Sequence, residues 1–291
     1  MIIDAHAHLW KTQKGRVDGR DVFSVGNGKS NFGGEIRQMM PPFMTDGENT
    51  AERFIANMDY AGVSGAFITQ EEIDGNQDFY LLSSKEKYPN RLKICSLYEE
   101  NKDFSLEGFD GVKICAGRLP NQDLTKHYKV FEAADKNRKF VSIDLSDGDK
   151  QTSSLLEMIR QYPELRIAIG HFGMVTRSGW LEQIKLARNA NVRVESGGIT
   201  WLFNSEFYPY PSAVRAIKEA AQICGMEKLM WGSDYPRTMV EITYKMSFDF
   251  ILKSAEFSEE EKELFLFENA QKFYAFSNLD ECGNIKNMLE D

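Results

Sequence analysis

Residues 2–10 read IIDAHAHLW, and this stretch contains two of the chain's four histidines, His6 and His8, one residue apart. Its small and apolar residues predict a buried β-strand. Successive side chains of a strand point to opposite faces, so His6 and His8 share one face while Ala7 lies on the other. Two imidazoles that point the same way can bind one metal ion. The stretch therefore predicts both a strand and part of a metal site.

Seven more short apolar segments follow, and amphipathic segments with helical spacing lie between most of them. The eight predicted strands lie within residues 2–9, 62–70, 92–98, 109–116, 139–146, 165–172, 192–199 and 228–236. The predicted helices lie within residues 49–62, 76–89, 124–137, 151–163, 178–191 and 210–225. This alternation predicts a parallel α/β sheet, and eight strands favour closure into a (β/α)8 TIM barrel over a doubly wound open sheet.

Four polar side chains follow the predicted barrel strands. His8 ends the first strand, Asp144 the fifth, His171 the sixth and Asp234 the eighth. Because barrel enzymes build their sites at the C-terminal ends of the strands, these side chains are expected to converge. Nitrogen and oxygen donors in this number predict a divalent metal site. The imidazoles favour zinc, and manganese or iron also fit.

Residues 11–45 interrupt the alternation of strands and helices. They are rich in Gly, Asn and charged residues, and they turn apolar at MMPPFM, residues 39–44. A long irregular connection is usually a functional lid or a disordered loop, and because this one leaves the histidine strand we predict a lid over the site. Residues 258–276 predict a capping helix. We predict one domain over residues 1–291, with the barrel in about residues 1–276 and a tail at residues 277–291.

The composition limits the classes of partner. Lys and Arg total 35 against 44 Asp and Glu, and the net charge of −9 argues against binding to nucleic acid or to an anionic membrane. The four cysteines form no CxxC pair, which is typical of reduced thiols. No apolar run reaches the length of a signal peptide or a membrane span. We therefore predict a cytoplasmic protein that acts on a small molecule.

Five motifs in order along the chain resemble one family. They are DAHAHLW, GVKI on the fourth strand, IGHFG on the sixth, WGSDYP on the eighth and ENAQKFY in the final helix. Together they are similar to the amidohydrolase superfamily, and more narrowly to its amidohydrolase-related branch. That branch holds aminocarboxymuconate-semialdehyde decarboxylase, resorcylate-type decarboxylases and several sugar-acid and pyrone lactonases. The resemblance extends to about Phe276.

The resemblance implies roles for individual residues. His6, His8 and Asp234 match the metal ligands of the metal-dependent relatives, and His171 matches a histidine beside the metal that polarises the substrate or positions water. Asp144 stands where many relatives have a metal-binding histidine. A carboxylate can also ligate a metal and shifts the preference toward harder ions. A metal-free site, as in some lactonases, is the alternative. Asp234 would act as general base.

Three cations at or just beyond strand ends are candidate substrate-binding residues: Lys113, Arg118 and Arg237. A guanidinium matches a carboxylate in bidentate fashion, although strand-end cations also form structural salt bridges. Glu195 either contacts the site or pairs with a strand-end cation, and His127 is expected on the surface. Seven aromatic residues either wall the site or fill the core: Trp10, Phe172, Trp180, Trp201, Phe203, Tyr208 and Tyr210.

These residues leave three functions open. The first is a metal-dependent hydrolase of a small carboxylated lactone. The second is a nonoxidative decarboxylase of a small carboxylic acid, in which Asp234 or an activated water protonates carbon. The third is a catalytically reduced barrel that only binds a ligand, with Asp144 as the mark of lost catalysis. Pairing into a homodimer is also left open by the sequence.

Overall fold

The computed structural model describes residues 1–283, 285, 286 and 288 of the 291-residue chain. Its strands are, in chain order, β1 (Ile3–His8), β2 (Lys14–Val17), β3 (Arg20–Gly26), β4 (Lys29–Phe32), β5 (Glu35–Gln38), β6 (Gly65–Thr69), β7 (Leu92–Tyr98), β8 (Gly111–Ile114), β9 (Phe140–Ile143), β10 (Ile167–Ile169), β11 (Val192–Glu195) and β12 (Leu229–Met230). Its α-helices are α1 (Ala51–Ala61), α2 (Asp78–Lys87), α3 (Tyr128–Lys136), α4 (Thr152–Gln161), α5 (Trp180–Leu186), α6 (Ile199–Leu202), α7 (Pro211–Cys224), α8 (Met246–Leu252), α9 (Glu259–Glu263) and α10 (Asn269–Tyr274).

The eight predicted strands form the barrel. Strands β1 and β6–β12 lie side by side in chain order and pair in parallel. Three backbone hydrogen bonds join the first strand to the segment after the last one: from Ala5 N to Trp231 O, from Asp234 N to His6 O and from His8 N to Tyr235 O, each with an N–O distance of 2.8 Å. The predicted TIM barrel is therefore confirmed. Helices α1–α5 and α7 match the six predicted helices, whereas α6 and α8 were not predicted.

The inserted segment is a small sheet, so the prediction of an irregular connection was wrong. Strands β2–β5 pair antiparallel in the order β2-β3-β4-β5. The missed signal is three two-residue turns, Asp18-Gly19, Asn27-Gly28 and Gly33-Gly34, all with positive φ. Such pairs are strong hairpin signals because the turn needs left-handed residues. We call β2–β5 the inserted sheet.

The inserted sheet lies at the C-terminal end of the barrel. Its first strand donates two backbone hydrogen bonds to the loop after β6, from Lys14 N to Asp74 O (3.1 Å) and from Arg16 N to Glu72 O (2.8 Å). Between these bonds only a glycine fits, because a Cβ at Gly15 would lie 2.1 Å from Glu72 O. The position predicted for a lid is thus occupied by an attached sheet.

The C-terminal helical run covers the opposite end of the barrel. It continues from α9 through a π-helical turn, Leu264–Glu268, into α10. Tyr274 stacks on Phe67, with ring centroids 4.7 Å apart, and donates a hydrogen bond to Ala5 O. The predicted capping helix is confirmed. Of the predicted tail, residues 284, 287 and 289–291 lie outside the described residues.

Within the described residues, none of the helices combines the length and the apolar composition needed to cross a bilayer.

The Asp4 side chain links the two segments that close the barrel, β1 and residues 231–235, whose junction we call the seam. Its buried carboxylate accepts hydrogen bonds from His6 N (3.0 Å), Ser233 N (2.9 Å), Ser233 Oγ (2.5 Å) and the Tyr244 hydroxyl (2.8 Å). Burial raises the pKa of Asp4 to about 6, although these four bonds favour the ionised form. The carboxylate thereby sets the path of the chain on both sides of the seam.

We expect Asp4→Ala to lower the free energy of unfolding by about 3 kcal/mol or more, because several buried donors lose their acceptor at once. Tyr244→Phe removes one of the four bonds and should cost about 1 kcal/mol. Urea unfolding measures both changes. Asp103→Ala, at an exposed aspartate, is the control and should change stability little. Equal effects of Asp4→Ala and Asp103→Ala would contradict the assignment.

Candidate active site

A cavity of about 730 Å³ opens at the C-terminal ends of the barrel strands, a volume that suits a small molecule. Its wall combines residues that follow barrel strands with residues of the inserted sheet and the segment after it. The first kind includes Glu71, Asp144, His171, Asp234 and Arg237, and the second kind comprises Phe32, Arg37, Gln38 and Met39.

Three side chains beside this cavity converge on one point. The His6 Nε2 and His8 Nε2 atoms are 3.0 Å apart. Asp234 Oδ1 lies 3.1 Å from His8 Nε2 and 3.7 Å from His6 Nε2. All three residues are buried. The alternation of β1 aligns the two histidines, and barrel closure brings Asp234, which follows the last barrel strand, next to them.

Neighbouring groups orient these three side chains. His6 Nδ1 lies 2.6 Å from Glu195 Oε1 and donates to it, and this contact points Nε2 toward the other two side chains. Trp201 Nε1 donates to Asp234 Oδ2 at 2.6 Å, which turns Oδ1 toward the histidines. A Cβ on Gly197 would lie 2.8 Å from His6 Nδ1, so glycine permits this close approach.

The lowered pKa values of His8 and Asp234 also favour metal binding. Burial and the charge of Arg237 lower the pKa of His8, so its ring stays neutral. Burial alone would raise the pKa of Asp234, but the adjacent His8 ring and the charge of Arg237 hold it well below its ordinary value. A neutral imidazole and an ionised carboxylate are the forms in which His8 and Asp234 can ligate a metal.

The donor set fits a divalent cation. Asp234 Oδ1 is buried and finds no hydrogen-bond partner within the described residues. Ligands at about 2.0–2.1 Å from one tetrahedral zinc ion are about 3.3 Å from each other, and the three separations of 3.0–3.7 Å surround that value. Because three acceptors face one another, a positive charge among them is favourable.

A second group of ionisable side chains lies beside the first. Glu71, Asp144 and His171 place one donor atom each within 4.8 Å of one another. His171 Nδ1 lies 2.9 Å from Gly197 O and must be protonated to donate to it, while Nε2 faces Glu71 Oε1 at 3.5 Å and Asp144 Oδ2 at 3.7 Å. Burial opposes a charge on this ring, but the carboxylates outweigh it and raise the pKa of His171 to about 10.

The structure therefore divides the five predicted metal ligands. His6, His8 and Asp234 form the first group, and Asp144 and His171 belong to the second. Asp144 is held by Lys113, whose Nζ lies 2.6 Å from Asp144 Oδ2.

The three predicted substrate-binding cations lie in different positions. Arg118 and Arg237 line the cavity, and Arg118 is exposed there. Lys113 is fully buried beneath the wall and bound to Asp144, so its ammonium does not face the cavity. Of the seven aromatic residues, Trp201 lines the cavity.

Sequence reasoning missed two acidic residues and misplaced one histidine. Glu71 and Asp74 follow β6, and the available signal was their place after a barrel strand, as with Asp144 and Asp234. His127 was expected on the surface but is buried, because the Tyr98 hydroxyl and Asn121 O satisfy its two ring nitrogens at 3.0 and 2.9 Å. Glu195, left open by the sequence, contacts the site through His6.

We expect Lys113→Met to lower the free energy of unfolding by about 3 kcal/mol or more, because the Asp144 carboxylate loses its buried counter-charge. The double variant Lys113→Met/Asp144→Asn should recover much of this loss, since no unpaired charge is left. Urea unfolding measures both, and Lys102→Met, in an exposed pair with Glu99, is the control with little effect. A double variant as unstable as the single one would refute the pairing.

This chain is similar to known proteins in both sequence and fold. The model of the amidohydrolase family (Amidohydro_2) matches residues 3–276. An uncharacterized protein of Sinorhizobium fredii, y4mH, is 28% identical over 148 residues, which cover 47% of this chain and 48% of that protein. The match thus spans about half the length of this curated relative.

Three solved structures share the fold. A probable 2-pyrone-4,6-dicarboxylic acid hydrolase of Acinetobacter baumannii, with citric acid bound, has a TM-score of 0.69 at 22% identity, over 94% of this chain and 99% of that one. An amidohydrolase of Burkholderia multivorans with bound zinc has a TM-score of 0.67 at 13% identity, over 94% and 99%. The 5-carboxyvanillate decarboxylase of Novosphingobium aromaticivorans, with bound manganese, has a TM-score of 0.56 at 18% identity, over 77% and 80%.

At these identities the solved structures show the fold alone, whereas the family match spans nearly the whole barrel. That match covers β1 through the capping helix and confirms the resemblance carried by the five motifs. The chain belongs to the amidohydrolase family.

Proposed function

We propose that this protein is a metal-dependent hydrolase that opens a small carboxylated cyclic ester. The observation that carries the proposal is the convergence of His6 Nε2, His8 Nε2 and Asp234 Oδ1 within 3.0–3.7 Å beside the cavity. Arg237 and Arg118 line the same cavity and suit a carboxylate on the substrate. The fold shared with the Acinetobacter pyrone hydrolase supports this substrate class.

In the proposed mechanism, His6, His8 and Asp234 would hold the metal, and Asp234 Oδ1 would also move the proton. A divalent ion held there would supply Lewis-acid polarisation and an activated water near neutral pH. Asp234 Oδ2 is engaged by Trp201, so Oδ1 accepts the proton as the water oxygen attacks the ester carbonyl. When the ring C–O bond breaks, Asp234 returns that proton to the leaving alkoxide. Its depressed pKa favours this second transfer.

His171 has a separate role in this scheme. Its Nδ1 is held by Gly197 O, so the ring presents Nε2–H toward the cavity side that carries Glu71 and Asp144. A preorganised donor at this place stabilises the oxyanion that forms on the ester carbonyl. Lys113 acts indirectly, by holding Asp144 in place.

Zinc is the proposed metal because two of the three donors are imidazoles. Manganese and iron also accept this set, and a metal-free site is the alternative. The zinc in the Burkholderia structure and the manganese in the Novosphingobium structure support a divalent ion without choosing between them.

A nonoxidative decarboxylase is the second candidate, supported by the fold shared with the Novosphingobium decarboxylase. In that case Asp234 or an activated water would protonate the carbon that loses CO2, while Arg237 would hold a remaining oxygen. A ligand-binding barrel without turnover is the third. It has less support, because Asp234 and His171 are both in position and Asp144 is engaged by Lys113.

We also propose a cytoplasmic location and one domain. The four cysteines are free, and Cys95, Cys115 and Cys224 are buried, as reduced thiols commonly are. The inserted sheet is attached to the loop after β6 by backbone hydrogen bonds, which supports treating it as part of the barrel domain.

The test of the reaction uses 2-pyrone-4,6-dicarboxylate and 5-carboxyvanillate as substrates. We expect ring opening of 2-pyrone-4,6-dicarboxylate, which is measured as a loss of ultraviolet absorbance. We expect no release of CO2 from 5-carboxyvanillate. Asp234→Asn should lower kcat by about 10²–10⁴-fold, because the proton acceptor is lost. Asp147→Asn, at an exposed acid on the same cavity wall, is the control and should keep most activity. Release of CO2 without ring opening would favour the decarboxylase.

The metal is tested separately by elemental analysis of the purified protein. We expect about one equivalent of zinc per chain, which is the capacity of one three-residue site. His8→Ala should lose most of it and His127→Gln, at the histidine remote from the site, should retain it. Full ring-opening activity in protein without any metal would support the metal-free alternative.

A further inference from the structure

Arg237 presents an unusual buried guanidinium. Its NH2 nitrogen donates to both carboxylate oxygens of Asp74, at 2.8 and 2.7 Å. Its Nε and NH1 nitrogens are buried and have no hydrogen-bond partner within the described residues. The guanidinium also packs 5.8 Å from the centre of the Trp10 ring. One side of Arg237 is therefore anchored. The other side holds these two donors beside Asp234, with NH1 3.8 Å from Asp234 Oδ1, at the edge of the cavity that both residues line.

The anchor continues into the inserted sheet through a chain of buried hydrogen bonds. Gln13 Nε2 donates to Asp74 Oδ1 at 3.0 Å. Gln13 Oε1 in turn accepts from Ser30 Oγ, on β4, at 2.5 Å. Ser30, Gln13 and Asp74 are all at most 2% exposed. Both ends of the Gln13 amide are thus occupied, which fixes its orientation.

Further hydrogen bonds reinforce this connection from Ser30 to Arg237. Strand β2 is bonded to the loop that carries Asp74, and Gln77 Nε2 bonds both Thr12 O (2.9 Å) and Asp74 O (3.0 Å). The segment before the inserted sheet, the sheet itself and the Asp74 loop are therefore joined on both sides of Gln13. A shift of the sheet would be transmitted to Asp74 and from there to Arg237.

We propose that Gln13 and Ser30 are positioning residues that set Arg237 for binding a carboxylate of the substrate. The inserted sheet then contributes to substrate binding through Ser30. The inference rests on the proposed function for its substrate, because it assigns the free side of Arg237 to the carboxylate group. A bidentate contact requires a fixed guanidinium plane, and the chain from Ser30 to Asp74 supplies that constraint.

Gln13 and Ser30 carry no charge, so substitutions at these two residues test the positioning of Arg237 separately from its charge. A substitution of Asp74 would remove a negative charge beside Arg237, which favours the binding of an anion. It would also release the Arg237 guanidinium from its fixed position, which disfavours that binding, so the two effects oppose each other. Gln13→Met and Ser30→Ala remove hydrogen bonds without changing any charge. Ser24→Ala is the matched control, because Ser24 lies opposite Ser30 on β3. Within the part of the chain that the structure describes, its hydroxyl bonds only the local Gly26 N.

The experiment titrates the metal-loaded protein with isophthalate in a calorimeter. This flat dicarboxylate has no ester to hydrolyse, so binding is measured whether or not the protein is a lactonase. We expect Gln13→Met and Ser30→Ala to raise the isophthalate Kd by about fivefold, the effect of one hydrogen bond, and Ser24→Ala to leave it unchanged. Arg237→Gln should raise it by more than about tenfold. Zinc affinity and Tm of Gln13→Met and Ser30→Ala should stay close to those of Ser24→Ala.

The outcomes separate the two proposals. The expected Kd pattern without any ring-opening activity would support the positioning role and reject the lactonase. Ring opening together with native isophthalate affinity in Gln13→Met and Ser30→Ala would reject the positioning role alone. A joint loss of zinc affinity, Tm and isophthalate affinity in these variants would also reject it, because that pattern reports a general structural role. Absence of isophthalate binding by the native protein would overturn it as well.

Discussion

The backbone seam between β1 and residues 231–235 is the constraint on which the site depends. Its hydrogen bonds close the barrel, and the Asp4 carboxylate inside it bonds both His6 N and Ser233 N. The two histidines lie near the start of the chain and Asp234 more than 220 residues later, so no local structure could bring them together. Since the seam fixes the backbone at His6 and at Asp234, the convergence of their side chains follows from barrel closure.

The buried charges around the cavity are organised as local pairs. Lys113 neutralises Asp144, and Arg237 neutralises Asp74. His171 lies between Glu71 and Asp144, which raises its pKa to about 10. Because each pair is satisfied within the wall, His6, His8 and Asp234 are left as acceptors that face one another. The donors of Arg237 that Asp74 does not engage are left in the same way. A cation and an anion are the two partners that this distribution of charge favours.

Sequence reasoning succeeded where the pattern is local and repeated. The eight strands and six of the helices could be recognised from periodicity, and the strand ends located His8, Asp144, His171 and Asp234. It failed for the inserted sheet, because the strands of this sheet are short and half exposed and the turn pairs that mark its hairpins were read as loop residues. Lys113 illustrates a different limit. Its place at a strand end suggested a contact with substrate. The partner of a buried lysine depends on which strand lies beside it, however, and here that strand is β9, which Asp144 follows.

The sequence by itself determined the barrel, the family and the set of polar residues at its C-terminal end, because alternating hydrophobic patterns and short motifs are local properties of the chain. Only the tertiary structure decided how those residues are grouped. It separated His6, His8 and Asp234 from Glu71, Asp144 and His171, and it connected Ser30 and Gln13 to Arg237 through Asp74. These groupings depend on distances between side chains of different strands and loops, which are set by barrel closure and by the attachment of the inserted sheet.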